Sequence, residues 1–192
     1  MSKFAIPNIT KLEDSVRRAL EEDIGLGDIT GELIDPNLTQ KASLICREES
    51  ILCGSKWFNT AFTLLDPSIQ IEWHAQEGAL LEAGKEVASL TGRAKCMVTS
   101  ERTALNFLQM MSGIAYKTQS FQKELGDSGA VLLATRKTVP GLRYEQEYAE
   151  GRGGGQDQRV GLCDTEIVKG NDNNADGTIG EDGASVRAKR RE

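Results

Sequence analysis

VLLATRKTVPGLRYEQEYAEGRGGGQDQR, residues 131–159, combines an apolar run, a cluster of cations, a helical pattern and a triple glycine. It opens as a buried-strand pattern, Val131, Leu132 and Leu133, and runs straight into two adjacent cations, Arg136 and Lys137. Pro140 and Gly141 follow. A proline can open a helix there, because its missing N–H would be unpaired in the first turn anyway. Leu142, Gln146 and Ala149 recur at helical spacing and predict a helix over 142–149. Glycines 153–155 end it and lead to Gln156 and Arg159. From Thr135 to Tyr144 no acidic residue neutralises Arg136, Lys137 and Arg143. A strand that ends in cations and turns into a helix is suited to gripping an anionic substrate. The plainer alternative is a solvated basic loop closing an ordinary βα unit.

Upstream, Thr99 to Leu125 carries the longest helical pattern. Thr99 or Ser100 is placed to cap it, and Glu101 to sit in its first turn. Ala104, Leu108, Met111 and Ala115 form one apolar stripe, with Arg102, Asn106, Gln109 and Gly113 opposite. A polar stripe is usually a solvated face. Asn, Gln and Gly in place of Lys and Glu also suit a second contact surface.

Nearer the N-terminus, Thr10 and Glu13 have the spacing of a capping box, and Leu12, Val16, Ala19 and Leu20 that of an amphipathic helix closed by Gly25 and Gly27. Ala42–Cys46 and Ile51–Cys53 read as short strands flanking the charged turn Arg47–Ser50. Phe58, Phe62 and Leu65 mark a helix stopped by Asp66–Pro67, and Ile69, Ile71 and Trp73 a half-buried strand. His74, the only histidine, reads as structural. Glu77–Gly92 has glycine-punctuated short strands that superficially resemble half of a lipoyl or biotinyl carrier domain, with Lys95 nearby. A packed strand pair is the simpler reading. Beyond Arg159, Val160–Cys163 and Thr165–Lys169 are strand-like, which puts Lys169 at a strand's C-terminal end. Residues 171–192 are rich in Gly, Asn, Asp and charge, and are expected to be irregular or disordered, since they cannot offset ~1–2 kcal/mol of ordering entropy per residue.

The chain has 192 residues, 39 % of them hydrophobic and 27 % charged, with a formal charge of −6. That size fits one or two small domains with a real core. The acidic balance argues against nucleic acid, which needs a cationic face. No apolar run nears the roughly 20 residues that span a bilayer, so no membrane partner and a cytoplasmic location are expected. Cys46, Cys53, Cys96 and Cys163 form no C-x-x-C pair. A zinc site is therefore not expected, and four buried reduced thiols are.

TRKTVPGLR at 135–143 followed by GGGQDQRVGL at 153–162 resembles the signature of the quinolinate phosphoribosyltransferases, also called nicotinate-nucleotide pyrophosphorylases (carboxylating). ERTALNFLQMMSGIA at 101–115 resembles that family's long helix, and EEDIGLGDIT at 21–30 its N-terminal region. The likeness runs from about Leu12 to Asn171. It implies an α+β N-terminal sandwich domain over residues 1–110, a partial α/β barrel over 111–170 that carries the substrate pocket, and the disordered tail over 171–192.

The reaction it implies is a glycosyl transfer of NAD biosynthesis. Quinolinate and phosphoribosyl pyrophosphate give nicotinate mononucleotide, pyrophosphate and carbon dioxide, with magnesium (Mg2+) assisting. By the same resemblance Arg102, Arg136, Lys137, Arg159 and Lys169 are the cations around quinolinate, with Thr135 and Gln158 as polar contacts. Arg102 would act in trans across a homodimer. No covalent intermediate is required, so positioning and electrostatics would carry the rate.

The departures from the family pattern are specific. Ala134 stands before T-R-K where the family has Asp, and Asp157-Gln158 stands for Asn-His. Gln158 keeps hydrogen bonding but loses any titrating form, and Asp157 adds negative charge near a dianion. Lys169-Gly170-Asn171-Asp172 replaces K-E-N-H, and no segment after Lys169 matches the family's ribose, metal and 5-phosphate elements. The C-terminus is thus expected to be altered and shortened, and turnover impaired. The alternative is a non-catalytic dicarboxylate-binding or dimerisation remnant.

Overall fold

The computed structural model describes residues 8–157. Helix α1 (Ile9–Ile24) starts at Asn8, whose side chain accepts from the Lys11 N–H at 3.2 Å. Thr10 lies inside the helix, so the expected capping box is replaced by an Asn cap two residues earlier. Leu12, Val16 and Leu20 are buried and Ala19 half-buried, as their spacing predicts. Gly25, at φ 54°, closes the helix.

A short 3-10 turn (Gly31–Leu33) leads into β1 (Thr39–Ile45), β2 (Ser50–Ile51), α2 (Ser55–Leu65), β3 (Gln70–Trp73), β4 (Leu80–Leu81) and β5 (Glu86–Arg93). The antiparallel order β1-β5-β3 makes β5 the central strand, with Leu90 opposite both Ala42 and Ile71. β2 pairs with β4 in a separate two-stranded sheet. The two strands expected around Arg47–Ser50 are therefore in different sheets. Each finds its partners in the Glu77–Gly92 segment: the Cys46 N–H bonds the Lys85 carbonyl at 2.9 Å, and the Leu52 N–H that of Ala79 at 2.9 Å.

Asp66 ends α2 and clamps the following turn to the end of β5. Its carboxylate accepts from Arg93 Nε at 2.7 Å and from the Ser68 N–H and hydroxyl at 3.0 and 2.7 Å. The Arg93 bond first, then those from Ser68, hold the Asp66 carboxyl far below the usual carboxylate range. A depressed folded-state pKa contributes stability above the unfolded value, about 3.9, that is lost as pH falls through the folded one. Acid titration of unfolding should show stability falling below about pH 4, and Asp66→Asn should flatten that part of the profile.

Helix α3 (Ala94–Leu125) follows β5 without a break, with Arg93 as its N-cap residue and no capping side chain. It begins five residues before the expected Thr99. Thr99 and Ser100 instead sit within it, their hydroxyls bonding the Lys95 and Cys96 carbonyls at 2.9 and 2.8 Å. Ala104, Leu108, Met111 and Ala115 are buried, while Arg102, Asn106, Gln109 and Gly113 are exposed, as expected. Lys95 lies in the first turn of α3 and not on a turn between strands, which sets aside the carrier-domain likeness. The helix also runs unbroken through residue 110, where the first domain was expected to end.

Residues 131–157 fold as β6 (Leu133–Ala134), α4 (Arg143–Arg152) and β7 (Gln156–Asp157), with β6 and β7 parallel. Val131 and Leu133 are 50 % and 46 % exposed, against the expected buried strand. Only Ala134 is enclosed, because among the described residues a two-stranded ladder leaves one face uncovered. Pro140 belongs to the turn ahead of α4 and not to its first residue, and Gly141 completes that turn at φ 84°. α4 buries Glu145, Glu147, Tyr148 and Ala149, whereas Gln146 is only half-buried. That inward face packs mainly against α3, and Trp57 of α2 meets it with a ring 5.0 Å from that of Tyr148.

At the end of α4 a Cβ on Gly153 would meet the Ala115 carbonyl oxygen at 2.4 Å, so only glycine permits this approach to α3. Of the expected buried thiols only Cys53 is enclosed; Cys46 and Cys96 are half-buried, and Cys163 lies outside the described residues. No helix among the described residues is long and apolar enough to cross a membrane.

Candidate functional site

The C-terminal ends of the parallel strands β6 and β7 lie side by side, with Ala134 paired to Asp157. Open α/β units place ligands at this end, where the connecting turns gather. The turn leaving β6 carries Thr135, Arg136 and Lys137. The Thr135 hydroxyl oxygen accepts from the Lys137 N–H at 3.4 Å, a long contact on the exposed side. Further along, Gln146 of α4 reaches back, and its amide oxygen accepts from the Val139 N–H at 2.8 Å. The Leu142 N–H bonds the Val139 carbonyl at 3.1 Å. Gln146, read from the sequence only as one of the residues at helical spacing, is thus the side chain that pins the turn to the helix.

Arg136 is half-buried, and its Nε is enclosed with no hydrogen-bond partner among the described residues. An enclosed N–H left unpaired costs about 1–3 kcal/mol, and an anion that accepts from it removes that cost. Lys137 and Thr135 are exposed beside it. Arg102 stands elsewhere, exposed on the polar face of α3 with Asn106 and Gln109. No acidic side chain among the described residues forms an ion pair with Arg102, Arg136 or Lys137. Arg136 and Lys137 thus share the turn that leaves β6, while Arg102 is carried by α3. Gln158, Arg159 and Lys169 lie outside the described residues.

Two clefts flank the same turn, and neither is lined by Arg102, Arg136 or Lys137. One, of about 530 Å³, lies between α1, α3 and Pro140–Leu142, with Asn106 in its wall. The other, of about 470 Å³, lies between α1 and Thr138–Glu145 and contains Lys11, Arg18 and Arg143. Arg18 lines both. Nothing in the sequence singles out Lys11 or Arg18, whose spacing on α1 is that of an ordinary solvated face. Among the described residues no group of three or more His, Cys, Asp or Glu side chains could hold a metal ion. His74 stands at the end of β3, its Nε2 3.8 Å from Glu86.

Comparison with known proteins bears on the whole length of the chain. The family model described as the quinolinate phosphoribosyl transferase N-terminal domain matches residues 28–112, and that of the C-terminal domain residues 114–191. The second match runs past Asn171, where the likeness was expected to stop. A probable nicotinate-nucleotide pyrophosphorylase (carboxylating) of Bacillus subtilis is 36 % identical over 172 residues, covering 90 % of this chain and 60 % of the relative. A quinolinate phosphoribosyltransferase (decarboxylating) of Nicotiana tabacum, designated mitochondrial, is 37 % identical over 174 residues, covering 88 % of this chain and 48 % of the relative. The chain thus spans about half to three fifths of these relatives' lengths. Among solved structures, the nicotinate-nucleotide pyrophosphorylase of Francisella tularensis matches with a TM-score of 0.92 and 36 % identity, over 100 % of this chain and 68 % of that one.

Proposed function

Because the chain belongs to the quinolinate phosphoribosyltransferase family, we propose that it takes part in the transfer its relatives are named for. In this reading quinolinate and phosphoribosyl pyrophosphate yield nicotinate mononucleotide, pyrophosphate and carbon dioxide. The observation that carries it is Arg136, half-buried just after β6, its Nε enclosed with no partner among the described residues and Lys137 beside it. Quinolinate has two adjacent carboxylates, and a guanidinium fork matches a carboxylate edge where a bare ammonium cannot. Thr135 and Gln146 hold the turn, Gln146 acting as a positioning residue. Arg159, Gln158 and Lys169 enter by resemblance alone.

The β6–α4–β7 unit is read as the opening of an α/β barrel, which its parallel pairing across a helix supports. Magnesium is assigned to the diphosphate of the sugar substrate. The described residues offer no group of three or more His, Cys, Asp or Glu side chains to hold it. The substrates are charged and water-soluble, which suits the cytoplasm.

Arg102 is read as reaching the quinolinate pocket of a second copy in a homodimer. Its exposure and lack of an acidic partner support this. The test is complementation between Arg102→Ala and Arg136→Ala chains. Each variant alone should lose high-affinity quinolinate binding by calorimetry. Co-refolded at equal amounts, they should regain it in about a quarter of the pockets, since half the dimers are mixed and each mixed dimer holds one intact pocket. A mixture that binds no better than either parent would refute the shared pocket.

A further inference from the structure

The 470 Å³ cleft between α1 and the start of α4 takes no part in the reading above, yet it is built like a ligand site. Glu145 lies in its wall, 1 % exposed. One carboxylate oxygen accepts from the Trp57 indole N–H at 3.2 Å, and the other, Oε2, has no partner among the described residues. Arg143, in the same wall, has its Nε enclosed and likewise unpartnered. The cleft therefore leaves one enclosed acceptor and one enclosed donor unsatisfied, and buried polar groups are rarely left so.

The charge around them is mixed in a definite way. Lys11, Arg18 and Arg143 supply three cations against the two carboxylates of Asp14 and Glu145, a surplus of one positive charge. The cations meet the first turn of α4, a helix with no capping side chain, whose leading N–H groups add positive potential. A ligand that satisfies every group needs a strong anion for the Arg143 end and an N–H donor for Glu145 Oε2. Its net charge should be about −1. A phosphate dianion joined to an ammonium has that balance; an amino acid, net neutral, does not.

We propose that this cleft binds a small phosphorylated primary amine, its phosphate held by Arg143, Arg18 and Lys11 and its ammonium by Glu145. The site does not depend on the phosphoribosyl transfer. It adjoins Thr138–Gly141, so occupancy would stiffen the same turn that carries Arg136.

The probes are O-phosphoethanolamine, inorganic phosphate and ethanolamine, titrated by calorimetry into the full chain. An Arg136→Ala background keeps anions bound at the other end of the turn from being counted. O-Phosphoethanolamine should bind saturably, about tenfold or more tighter than phosphate, with ethanolamine silent. Glu145→Gln keeps an oxygen for Trp57 and should erase the advantage over phosphate. Arg18→Gln, at an exposed position that leaves the fold intact, should weaken both phosphates. Trp57 emission should respond to O-phosphoethanolamine but not to phosphate. Equal affinity for the two phosphates, no saturable binding in the millimolar range, or indifference to Arg18→Gln would each overturn the assignment. Loss of quinolinate binding in the same background leaves it standing.

Discussion

Replacing Arg136 by alanine is expected to weaken quinolinate binding by about 30-fold or more. Truncating one member of an enclosed, hydrogen-bonded charge pair costs about 2–5 kcal/mol, and each 1.4 kcal/mol is a factor of ten. Arg136 satisfies both conditions in the proposed complex. Its Nε is already enclosed, so the protein has met the desolvation cost before the ligand arrives, and the guanidinium is not diverted by an acid among the described residues. Arg136→Lys should recover only part of the affinity, because a point ammonium restores charge without the fork. Lys137, exposed beside it, should matter less, and its effect should fade with added salt as exposed charges are screened. Calorimetric titration of the three variants at two salt concentrations separates these effects. Equal, salt-sensitive losses at both positions would mark a solvated basic loop instead of a site.

Trp57→Ala should lower the stability of the described fold by about 3–5 kcal/mol, measured by denaturant unfolding followed by circular dichroism. Trp57 is 0 % exposed. Its ring lies 5.0 Å from Tyr148 and 6.0 Å from Tyr144, and its N–H bonds Glu145, so this one side chain of α2 meets three residues of α4, whose main packing partner is α3. Removing it leaves a cavity and strips Glu145 of the indole donor, so a buried carboxylate is then left without a hydrogen-bond donor among the described residues. Trp57→Phe should cost less, since it keeps most of the ring contacts and loses mainly the hydrogen bond. If Trp57→Ala and Trp57→Phe proved equally mild, the α2–α4 contact would not be where stability resides.

The helices with a long apolar stripe were legible. In α1 and α3 the periodic residues are the buried ones, because one broad face of each meets the core. Where a helix starts was less legible. Thr99 and Ser100 look like caps in the sequence, but β5 hands the chain straight to Ala94, and their hydroxyls then turn back onto carbonyls one turn earlier. The helix α4 was legible, but which of its residues face inward was not. Ten residues hold few apolar side chains, so its inward face depends on packing against α3 and on Trp57, 88 positions away from Glu145, and it encloses two glutamates that any hydropathy pattern would place outside. Of the site, the local pair Arg136 and Lys137 could be read because composition alone isolates them from acids. Lys11 and Arg18 could not, since only the packing of α1 against the Thr138–Glu145 turn gives them anything to act on.

The unbroken passage of α3 through residues 112–114, where the two family matches meet, has a mechanical corollary. A helix turns about 100° per residue, so inserting a single amino acid near Gly113 would swing the rest of α3 and the β6–α4–β7 unit by that angle relative to Arg102. The described residues on either side of the seam share one continuous shaft, with no break at that point to absorb the error. Evolution can lengthen the loops on either side freely, but across this seam the count of residues is itself a structural constraint.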